Sequence, residues 1–479
     1  MNLKYAIALL VLFLPSFISA QDNENKPNII FFITDDYGWQ DSSEAMWTKR
    51  TKLNDRFKTP NMEKLADMGV TFPNAYSASC VCSASRISIL TGQDPVNHGT
   101  TFITGTNGKN SETMLSAEQD NEGIQKEDVL LPSLLQKAGY RTTCIGKAHF
   151  GSKGSFGADP LNLGFQHKYY ADHNGTPRGK NHGGRDAYHI NKNGEQVHYS
   201  EAITRAAKSE IDTAVNNKTP FFLYVSHYAI HTPILTDPRF AKNYPNLSGQ
   251  DLAYATLIEG ADKSLGDIMN HLKKRGIAEN TFIIWTADNG GLWDNKPLKG
   301  LKNDALEGGH RSPNFVAWGK QDLSLIHQKN LPLVPGRIDN RPYIHQDWLP
   351  TLLKIAGTTH PNPSLLDGYD ITNLLSDKKG DIRPDLFIWH EPNFWLHSGP
   401  ESAIRENGWK LMYFYDSNTW ELYNLNEDLG ESKNLLHQHP EKAKSLAQKL
   451  ISYLKENNAN YPKDKKTQQN IKPTIPISS

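Results

Sequence analysis

The chain has 479 residues, and its 52 basic residues balance its 52 acidic residues, so no global charge attracts nucleic acid or an anionic membrane. Charged residues make up 22% of the sequence and aromatic residues 10%, a composition typical of globular proteins rather than disordered ones. Three cysteines are too few for a disulfide framework, although one bridge between two of them would leave a single thiol. Composition therefore argues against a nucleic-acid-binding protein and against a largely disordered chain.

The first twenty residues have the features of a secretory signal peptide. Lys4 precedes an apolar stretch at residues 6–14, and Ala20 is a small residue suited to cleavage. The apolar stretch is shorter than the ~20 residues that a membrane-spanning helix needs. We therefore predict an exported protein, periplasmic or secreted, with no membrane span once residues 1–20 are removed. The alternative is an anchor that stays uncleaved.

Short apolar runs alternate with helical segments between residues 26 and 383. Runs without polar alternation predict strands buried on both faces, and they lie at residues 29–33, 142–145, 221–225, 282–285 and, less distinctly, 315–318. Helices are predicted to begin near Pro60, Pro132 and Asp251 and to stop at Gly69, Gly139 and Gly276. The alternation predicts one large α/β domain over residues 26–383.

Polar side chains follow four of these strands. They are Asp35 and Asp36, then Lys147 and His149, then His227 and His231, and finally Asp288 and Asn289. Ligands of open α/β sheets bind just beyond the carboxyl ends of strands, so these side chains predict one shared site. Any single Asp or Asn here has the alternative of an ordinary turn residue.

The sequence pattern changes near residue 384. Runs typical of antiparallel strands lie at residues 386–390, 402–405, 409–415 and 420–425, and a helix is predicted from Pro440 to about residue 457. We predict a smaller C-terminal α+β subdomain over residues 384–460. The Lys- and Pro-containing residues 461–479 predict a poorly ordered tail.

Residues 82–92 predict a short helix that begins at Cys82 and stops at Gly92. Arg86 lies four residues after Cys82 on the same helix face, and the helix dipole adds positive potential at this end. A reactive group at Cys82 would therefore suit an anionic substrate. The alternative is a small buried thiol without reactivity.

The segment Cys82-x-Ala84-Ser85-Arg86, followed by Leu90-Thr91-Gly92, resembles the signature of the formylglycine-dependent type I sulfatases. Similar motifs follow in the family's order, over residues 26–455: Asp35-Asp36-Tyr37-Gly38, Thr59-Pro60-Asn61-Met62, Gly146-Lys147-Ala148-His149, His231-Thr232-Pro233, Ala287-Asp288-Asn289-Gly290, Gly300-Leu301-Lys302, Glu307-Gly308-Gly309, Trp409-Lys410-Leu411 and Glu421-Leu422-Tyr423-Asn424-Leu425. The resemblance implies an alkaline-phosphatase-like fold, with a mixed, largely parallel sheet flanked by helices.

The resemblance implies that Cys82 is oxidised after translation to formylglycine (3-oxoalanine). One hydroxyl of the hydrated aldehyde would attack sulfur, and the other would then expel sulfate, so sulfur is not attacked twice. The implied metal ligands are Asp35, Asp36, Asp288 and Asn289, together with the modified residue 82. Their oxygen atoms fit one Ca²⁺ ion per chain, and zinc is not expected there.

The resemblance also implies roles for the basic side chains. Lys147 and Lys302 would hold sulfate oxygens, and Arg86 would anchor the hydroxyls at position 82. His149 would act on the second hydroxyl, and His231, shared with Lys302, would protonate the leaving alcohol. The alternatives are ordinary surface lysines and loop histidines.

Ala84 stands where many members of the family have Pro, which indicates a radical-type maturase as the partner that oxidises Cys82. Cys80 is not the expected nucleophile, because position 84 lacks the Arg that the family has four residues after the modified cysteine.

The candidate substrate contacts are histidines, aromatic residues and one loop. We predict that His310 and His390 contact a sugar, together with aromatic residues of the stretch 389–397, and that residues 173–198 form a loop over the site. Core aromatics and a solvated loop are the alternatives. Export and an aromatic rim favour a sulfated carbohydrate, such as a polysaccharide fragment. A formylglycine-dependent phosphonate or phosphate ester hydrolase and a catalytically silent carbohydrate-binding protein are the competing functions.

Overall fold

The structure is a computed structural model that describes residues 26–106, 108–171, 188–190, 193–379, 383–395 and 398–476. Its strands are β1 (Asn28–Thr34), β2 (Val70–Thr71), β3 (Ala75–Tyr76), β4 (Met114–Leu115), β5 (Arg141–Gly146), β6 (His167–Tyr169), β7 (Tyr188–Ile190), β8 (Gln196–His198), β9 (Phe221–Ser226), β10 (Thr281–Ala287), β11 (Phe315–Trp318), β12 (Arg337–Ile338), β13 (Tyr343–Ile344), β14 (Leu386–Glu391), β15 (Glu401–Glu406), β16 (Trp409–Phe414), β17 (Thr419–Asn424) and β18 (Lys463–Asp464).

The helices include the three whose starts and stops were predicted, and the helix that begins at Cys82. They are α1 (Lys52–Arg56), α2 (Pro60–Met68), α3 (Cys82–Thr91), α4 (Leu131–Lys137), α5 (Tyr199–Asn216), α6 (Gly249–Lys274), α7 (Glu307–His310), α8 (Ile326–Asn330), α9 (Trp348–Ile355), α10 (Thr372–Leu375) and α11 (Pro440–Glu456). No helix within the described ranges is both long enough and apolar enough to cross a membrane.

The main sheet has eight strands in the order β12-β2-β11-β10-β1-β9-β5-β6. From β10 to β6 all neighbours are parallel, whereas β11 runs antiparallel to both β10 and β2. The sheet is therefore mixed and largely parallel, as predicted, and the α/β class is confirmed.

Both faces of this sheet are covered, which explains why its strands lack polar alternation. In β1, Ile30 and Phe32 join a core cluster with α2, α5 and α6. The alternate residues Ile29, Phe31 and Ile33 face a second cluster with α3, α4 and α9. Burial of one large apolar side chain contributes roughly 1.5–3 kcal/mol, so the two clusters hold the sheet rigidly.

Four neighbouring parallel strands end at one edge of the sheet. Thr34 at the end of β1 pairs with Ala287 at the end of β10, and Gly146 of β5 pairs with Ser226 of β9. The polar side chains that follow these strands are consequently brought to one place, as the sequence predicts.

The C-terminal residues form the predicted antiparallel sheet, with strand order β14-β15-β16-β17. Helix α11 covers one of its faces through Ala443, Leu446, Ala447 and Leu450, which belong to a separate core cluster. The other face contributes Phe387 and Trp389 to a cluster with Tyr76 of the large domain.

The segment after Tyr461 differs from the prediction of a poorly ordered tail. Strand β18 pairs with β4, and Trp420 Nε1 donates a hydrogen bond to the Thr474 carbonyl at 2.8 Å. Tyr461 and Ile471 pack against the C-terminal core cluster. These contacts order the segment as far as residue 476, so the prediction is wrong for residues 461–476.

Candidate active site

Helix α3 places Cys82 at its first position, directly after the extended residue Val81. The Cys82 thiol is buried. Its Sγ atom lies 3.1 Å from Lys302 Nζ, 3.5 Å from Asp35 Oδ1 and 3.8 Å from Asp36 Oδ1. The predicted nucleophile therefore lies between carboxylates and an ammonium group.

All ten residues of α3 are buried, although three of them are serines. Ser83 Oγ lies 3.3 Å from Thr104 Oγ1, Ser85 Oγ lies 2.8 Å from His345 Nδ1, and Ser88 Oγ lies 3.1 Å from His98 Nε2. Because each hydroxyl has a partner, this polar helix is stable inside the protein, where it holds Cys82 in a fixed position.

The acidic residues after β1 and β10 meet beneath Cys82. The Asp36 backbone N–H donates to Asp288 Oδ1 at 3.1 Å, and the Asn289 amide donates to Asp36 Oδ1 at 2.9 Å. Asp36 and His149 both have a backbone φ of 59°, a left-handed conformation that non-glycine residues seldom adopt. Such backbone strain is concentrated at functional sites.

Three buried cations neutralise these acids. Lys147 Nζ lies 2.6 Å from Asp35 Oδ2, and Lys302 Nζ lies 2.6 Å from Asp36 Oδ1. Arg86 Nε lies 2.8 Å from an oxygen of the third acid, Asp288. The charges alternate in space, which gives a compact polar cluster in the protein interior.

Burial has the largest single effect on the pKa values of the cluster. Burial raises the pKa of Asp35 to about 8, against the opposing charge of Lys147. Burial also opposes ionisation of Asp288, but Arg86 and the nearby lysines hold its pKa below the usual range. Burial and the Asp288 charge raise the pKa of the Cys82 thiol, so an unmodified thiol would be a weak nucleophile.

His149 and His231 complete the site. His149 is buried, and its Nδ1 atom has no hydrogen-bond partner among the described residues. His231 Nδ1 donates to the Thr232 carbonyl at 2.8 Å, while its Nε2 lies 3.9 Å from Asp36 Oδ2. Burial and Lys302 lower the pKa of His231 to about 3, and burial with Lys147 holds the pKa of His149 well below its ordinary value.

Two oxygen atoms of the cluster suit a metal ion. Asp36 Oδ2 and Asn289 Oδ1 are buried without a hydrogen-bond partner in the described part of the chain. One ligand atom each from Asp35, Asp36, Cys82 and Asp288 lies within 4.8 Å of the others. Carboxylate and amide oxygens are the donors that Ca²⁺ prefers, so the residues fit the predicted ion.

Two predicted substrate contacts are wrong in this structure. His390 is buried in the C-terminal sheet, where Nδ1 lies 2.7 Å from Ser402 Oγ and Nε2 lies 2.6 Å from the Asn460 carbonyl. His310 is also fully buried, with its ring 4.7 Å from that of Trp389. His310 packs against the C-terminal sheet, and His390 is buried within it. Neither histidine therefore reaches a surface that a sugar could contact. His397 and most of the predicted loop at residues 173–198 lie outside the described residues.

Two polar residues of the site were not predicted from the sequence. Ser226, the last residue of β9, accepts a hydrogen bond from Arg86 Nη1 at 2.6 Å. Asn303 follows Lys302, and its buried amide has no hydrogen-bond partner among the described residues. The position of Ser226 directly after a predicted strand was the available signal, whereas nothing marked Asn303.

The fold and the site define an enzyme of the sulfatase class. Residues 27–358 match the family model described as Sulfatase, and residues 332–460 match the model described as N-sulphoglucosamine sulphohydrolase, C-terminal. Because the first match covers more than half of the sequence, the chain belongs to the Sulfatase family.

The chain is similar to known sulfatases over most of its length. A protein named Sulfatase from Formosa agariphila is 27% identical over 92% of this chain and 90% of its own. N-acetylgalactosamine-6-sulfatase from Mus musculus is 28% identical over 85% of this chain and 76% of its own. The crystal structure of Ps i-CgsB matches with a TM-score of 0.73 and 25% identity over 90% of this chain and 93% of that chain. Ps i-CgsB has also been solved in complex with k-i-k-neocarrahexaose.

Proposed function

We propose that this sulfatase hydrolyses sulfate esters of a sulfated carbohydrate, with formylglycine derived from Cys82 and one Ca²⁺ ion. The observation that carries the proposal is the position of Cys82 Sγ, 3.1 Å from Lys302 Nζ and within 3.8 Å of two carboxylates. The Sγ atom marks where the reacting oxygen of the modified residue would lie. Helix α3 directs its N-terminus, and hence a positive potential, toward the same point.

Sulfate is an anion, and the site supplies cations for it. Lys147 and Lys302 would bind sulfate oxygens as point charges, while Arg86 stays attached to Asp288 and orients the acid. Because these cations are buried, their attraction for sulfate is screened less than it would be in water. Charge developing on the sulfate oxygens during the reaction would be stabilised by the same groups.

The proposed chemistry also needs two groups that are not standard amino acids, a Ca²⁺ ion and formylglycine. Ca²⁺ held by Asp35, Asp36, Asp288 and Asn289 supplies Lewis-acid polarisation of the sulfate. Formylglycine, once its aldehyde is hydrated, would supply two hydroxyls on one carbon, so that sulfate could leave by elimination rather than by a second attack at sulfur.

The histidines would move protons. His149, with Nδ1 unpaired, would take a proton from the hydroxyl that remains at position 82. His231 Nε2 points into the cluster and would donate a proton to the leaving alcohol. That role needs a protonated imidazole, and the negative charge of bound sulfate would raise the pKa of His231 from its low value.

Two observations support a carbohydrate substrate. The relative from Mus musculus is named for an N-acetylgalactosamine sulfate, and it covers 85% of this chain. Trp395 is half-buried, and its ring packs on Phe102 at 5.6 Å beside the segment that leads to Cys82. An aromatic ring packed against the segment that leads to Cys82 suits the apolar face of a pyranose. We infer a polysaccharide or oligosaccharide sulfate as the substrate.

The proposal also covers maturation and export. Ala84 in the motif supports a radical-type maturase as the partner, and residues 1–20 support signal cleavage and a periplasmic or secreted protein. N-terminal sequencing of protein recovered from the producing cells checks the cleavage, which should expose Gln21.

Peptide mass spectrometry of residue 82 is the deciding experiment, on protein produced together with a maturase that is active on a control substrate. We expect the aldehyde, and then release of sulfate from a panel of sulfated glycans, with no hydrolysis of matched phosphate or phosphonate esters. A thiol that persists at position 82 would refute the proposed nucleophile. Turnover of the phosphorus esters alone would refute the substrate class.

A further inference from the structure

A second cluster of metal-ligating side chains lies beside the active site. Cys80, His310 and Glu391 are all buried, and one ligand atom from each lies within 4.8 Å of the other two. They come from three separate segments: the loop before α3, the end of α7 and the end of β14. Their sequence separation means that only the folded chain brings them together.

Glu391 is a buried carboxyl group whose hydrogen-bond partners in the described part of the chain are all neutral. Glu391 Oε1 accepts the backbone N–H of Cys80 at 3.0 Å, and Oε2 accepts the Ser79 hydroxyl at 3.1 Å. Lys410, whose charge acts on His310, is paired with Glu307 at 3.0 Å and with Glu431 at 2.9 Å. A buried carboxylate without a cation is costly, so the cluster suits a positive ion.

His310 provides an independent indication of a ligand. The residue has no exposed surface, yet neither of its ring nitrogens has a hydrogen-bond partner among the described residues. Its ring is fixed by stacking on Trp389 at 4.7 Å. Buried polar atoms nearly always have partners, and an imidazole that faces a thiol and a carboxyl group is a common metal ligand.

We propose that Cys80, His310 and Glu391 bind a structural Zn²⁺ ion. Sulfur, nitrogen and oxygen donors together are the ligand set that zinc accepts, whereas Ca²⁺ requires oxygen ligands. Binding releases the thiol proton to solvent, and the two negative charges of thiolate and carboxylate balance the charge of the ion. A water molecule would occupy the fourth coordination position, because the Ser79 hydroxyl is already bonded to Glu391 Oε2 and to the Val81 N–H.

The ion would connect the three segments that surround the nucleophile. Cys80 precedes Cys82 by two residues, His310 follows the segment that carries Lys302, and Glu391 belongs to the C-terminal sheet. A metal bond among them would fix the C-terminal sheet to the active site. The proposal is independent of the sulfatase chemistry, because it concerns none of the atoms assigned to substrate or calcium.

The test measures metal in the full-length protein produced with zinc in the medium. We expect one zinc per chain by mass spectrometry of the metal, and one sulfur neighbour at about 2.3 Å by X-ray absorption at the zinc edge. Replacement of zinc by Co²⁺ should give a thiolate-to-cobalt charge-transfer band. The zinc content, the X-ray absorption and the cobalt band are all measured on the native protein, so they do not depend on whether a variant folds.

Variants assign the sulfur ligand. Cys80→Ser should abolish the charge-transfer band, while Cys82→Ser, two residues away, should keep it. His310→Gln should weaken zinc retention against a chelator by more than about tenfold, because even residues outside the coordination shell change metal affinity by that amount. Native protein without zinc and without a thiolate band on cobalt loading would overturn the proposal. Loss of the band in Cys82→Ser instead of Cys80→Ser would do the same.

Discussion

Arg86 connects several separate parts of the active site. Its Nε lies 2.8 Å from Asp288 Oδ2, and its Nη1 donates to Ser226 Oγ at 2.6 Å and to the Lys147 carbonyl at 3.1 Å. The guanidinium therefore joins α3 to the ends of three strands. Only a planar group with several fixed donors can make these contacts together, so lysine could not replace it.

Replacement of Arg86 by Met should destabilise the protein strongly, because it leaves Asp288 with one buried cation fewer. We expect the free energy of unfolding in urea at pH 7 to fall by about 3–5 kcal/mol. The matched control is Lys168→Met, which breaks a 2.8 Å pair with Asp159 that is more than one-third exposed. That change should cost less than about 1 kcal/mol. Equal losses in the two variants would contradict the central position of Arg86.

Cys82 contributes chemistry rather than packing. The side chain is small, and its neighbours at the start of α3 are polar groups of the site. Cys82→Ala should therefore abolish sulfate release while the far-ultraviolet spectrum and the unfolding midpoint stay close to those of the parent. Ser83→Ala, at the variable position of the motif, should keep most of the activity. Substantial turnover by Cys82→Ala would contradict the assignment of the nucleophile.

At the scale of elements, the end of α3 is set by Gly92. This residue has a φ of 70°, and its N–H donates to the Ser88 carbonyl at 2.9 Å. A Cβ atom at this position would lie 2.8 Å from Leu366 Cδ2 and 3.2 Å from Leu349 Cβ. Gly92 thus allows both the left-handed turn and the close approach of the neighbouring core.

Gly92→Ala should lower the free energy of unfolding by more than the left-handed conformation alone accounts for. Gly276→Ala is the matched control, since Gly276 has a φ of 68° and open space around its Cβ position. The control should cost about 1–2 kcal/mol, the strain of a left-handed alanine. Gly92→Ala should cost at least about 1 kcal/mol more, because leucine side chains must move. Urea unfolding of both variants measures the difference, and equal values would show that the core adapts without cost.

Uninterrupted apolar runs made the central strands predictable from the sequence. Residues 29–33 and 282–285 are buried on both sides, so their composition alone marks them as strands of a covered sheet. Strands β2 and β12, at one end of the sheet, have two residues each, and no periodicity can be detected in so short a segment. Their pairing depends on where the loops around them pack, which the local sequence does not encode.

The active site was predictable for a similar reason, and the second cluster was not. Asp35 and Asp288 follow recognisable strands, so the rule for parallel sheets brings them together. His310 and Glu391 meet Cys80 only because the C-terminal sheet packs on the large domain, which is a tertiary contact without a local signal. His390 is buried instead by contacts within the C-terminal subdomain, with Ser402 and the Asn460 carbonyl, which remove it from the predicted sugar contacts.

At the scale of the whole molecule, calcium should stabilise the folded chain. The proposed ligands are assembled only on folding, so a cation that binds them favours the folded state. Ca²⁺ at a hundred times its dissociation constant should add about 2.7 kcal/mol to the free energy of unfolding, compared with the protein in EGTA. Asp36→Asn should reduce this gain, whereas Asp159→Asn at the surface should leave it unchanged. A melting temperature of the parent protein that does not respond to Ca²⁺ would argue against the ion.

Several buried histidines should make the molecule sensitive to acid, and His98 shows why. Its Nε2 lies 3.1 Å from Ser88 Oγ, and its Nδ1 accepts the Thr100 N–H at 3.2 Å, so both ring nitrogens are engaged by a neutral imidazole. Burial lowers the pKa of His98 to about 3. The pKa values of His227 and His345 are lowered to about 3 by the same cause.

The sign of the pH effect follows from these low pKa values. Between about pH 6.5 and pH 3 the unfolded chain binds a proton at His98 that the folded chain does not, so acidification favours unfolding. From pH 7 to pH 5, His98 alone should remove about 2 kcal/mol of stability. The difference in unfolding free energy between these two pH values should therefore be about 2 kcal/mol smaller in His98→Asn than in the parent. His437→Asn, at an exposed position, is the matched control and should keep the parental difference. An unchanged difference in His98→Asn would show that this imidazole is protonated without unfolding.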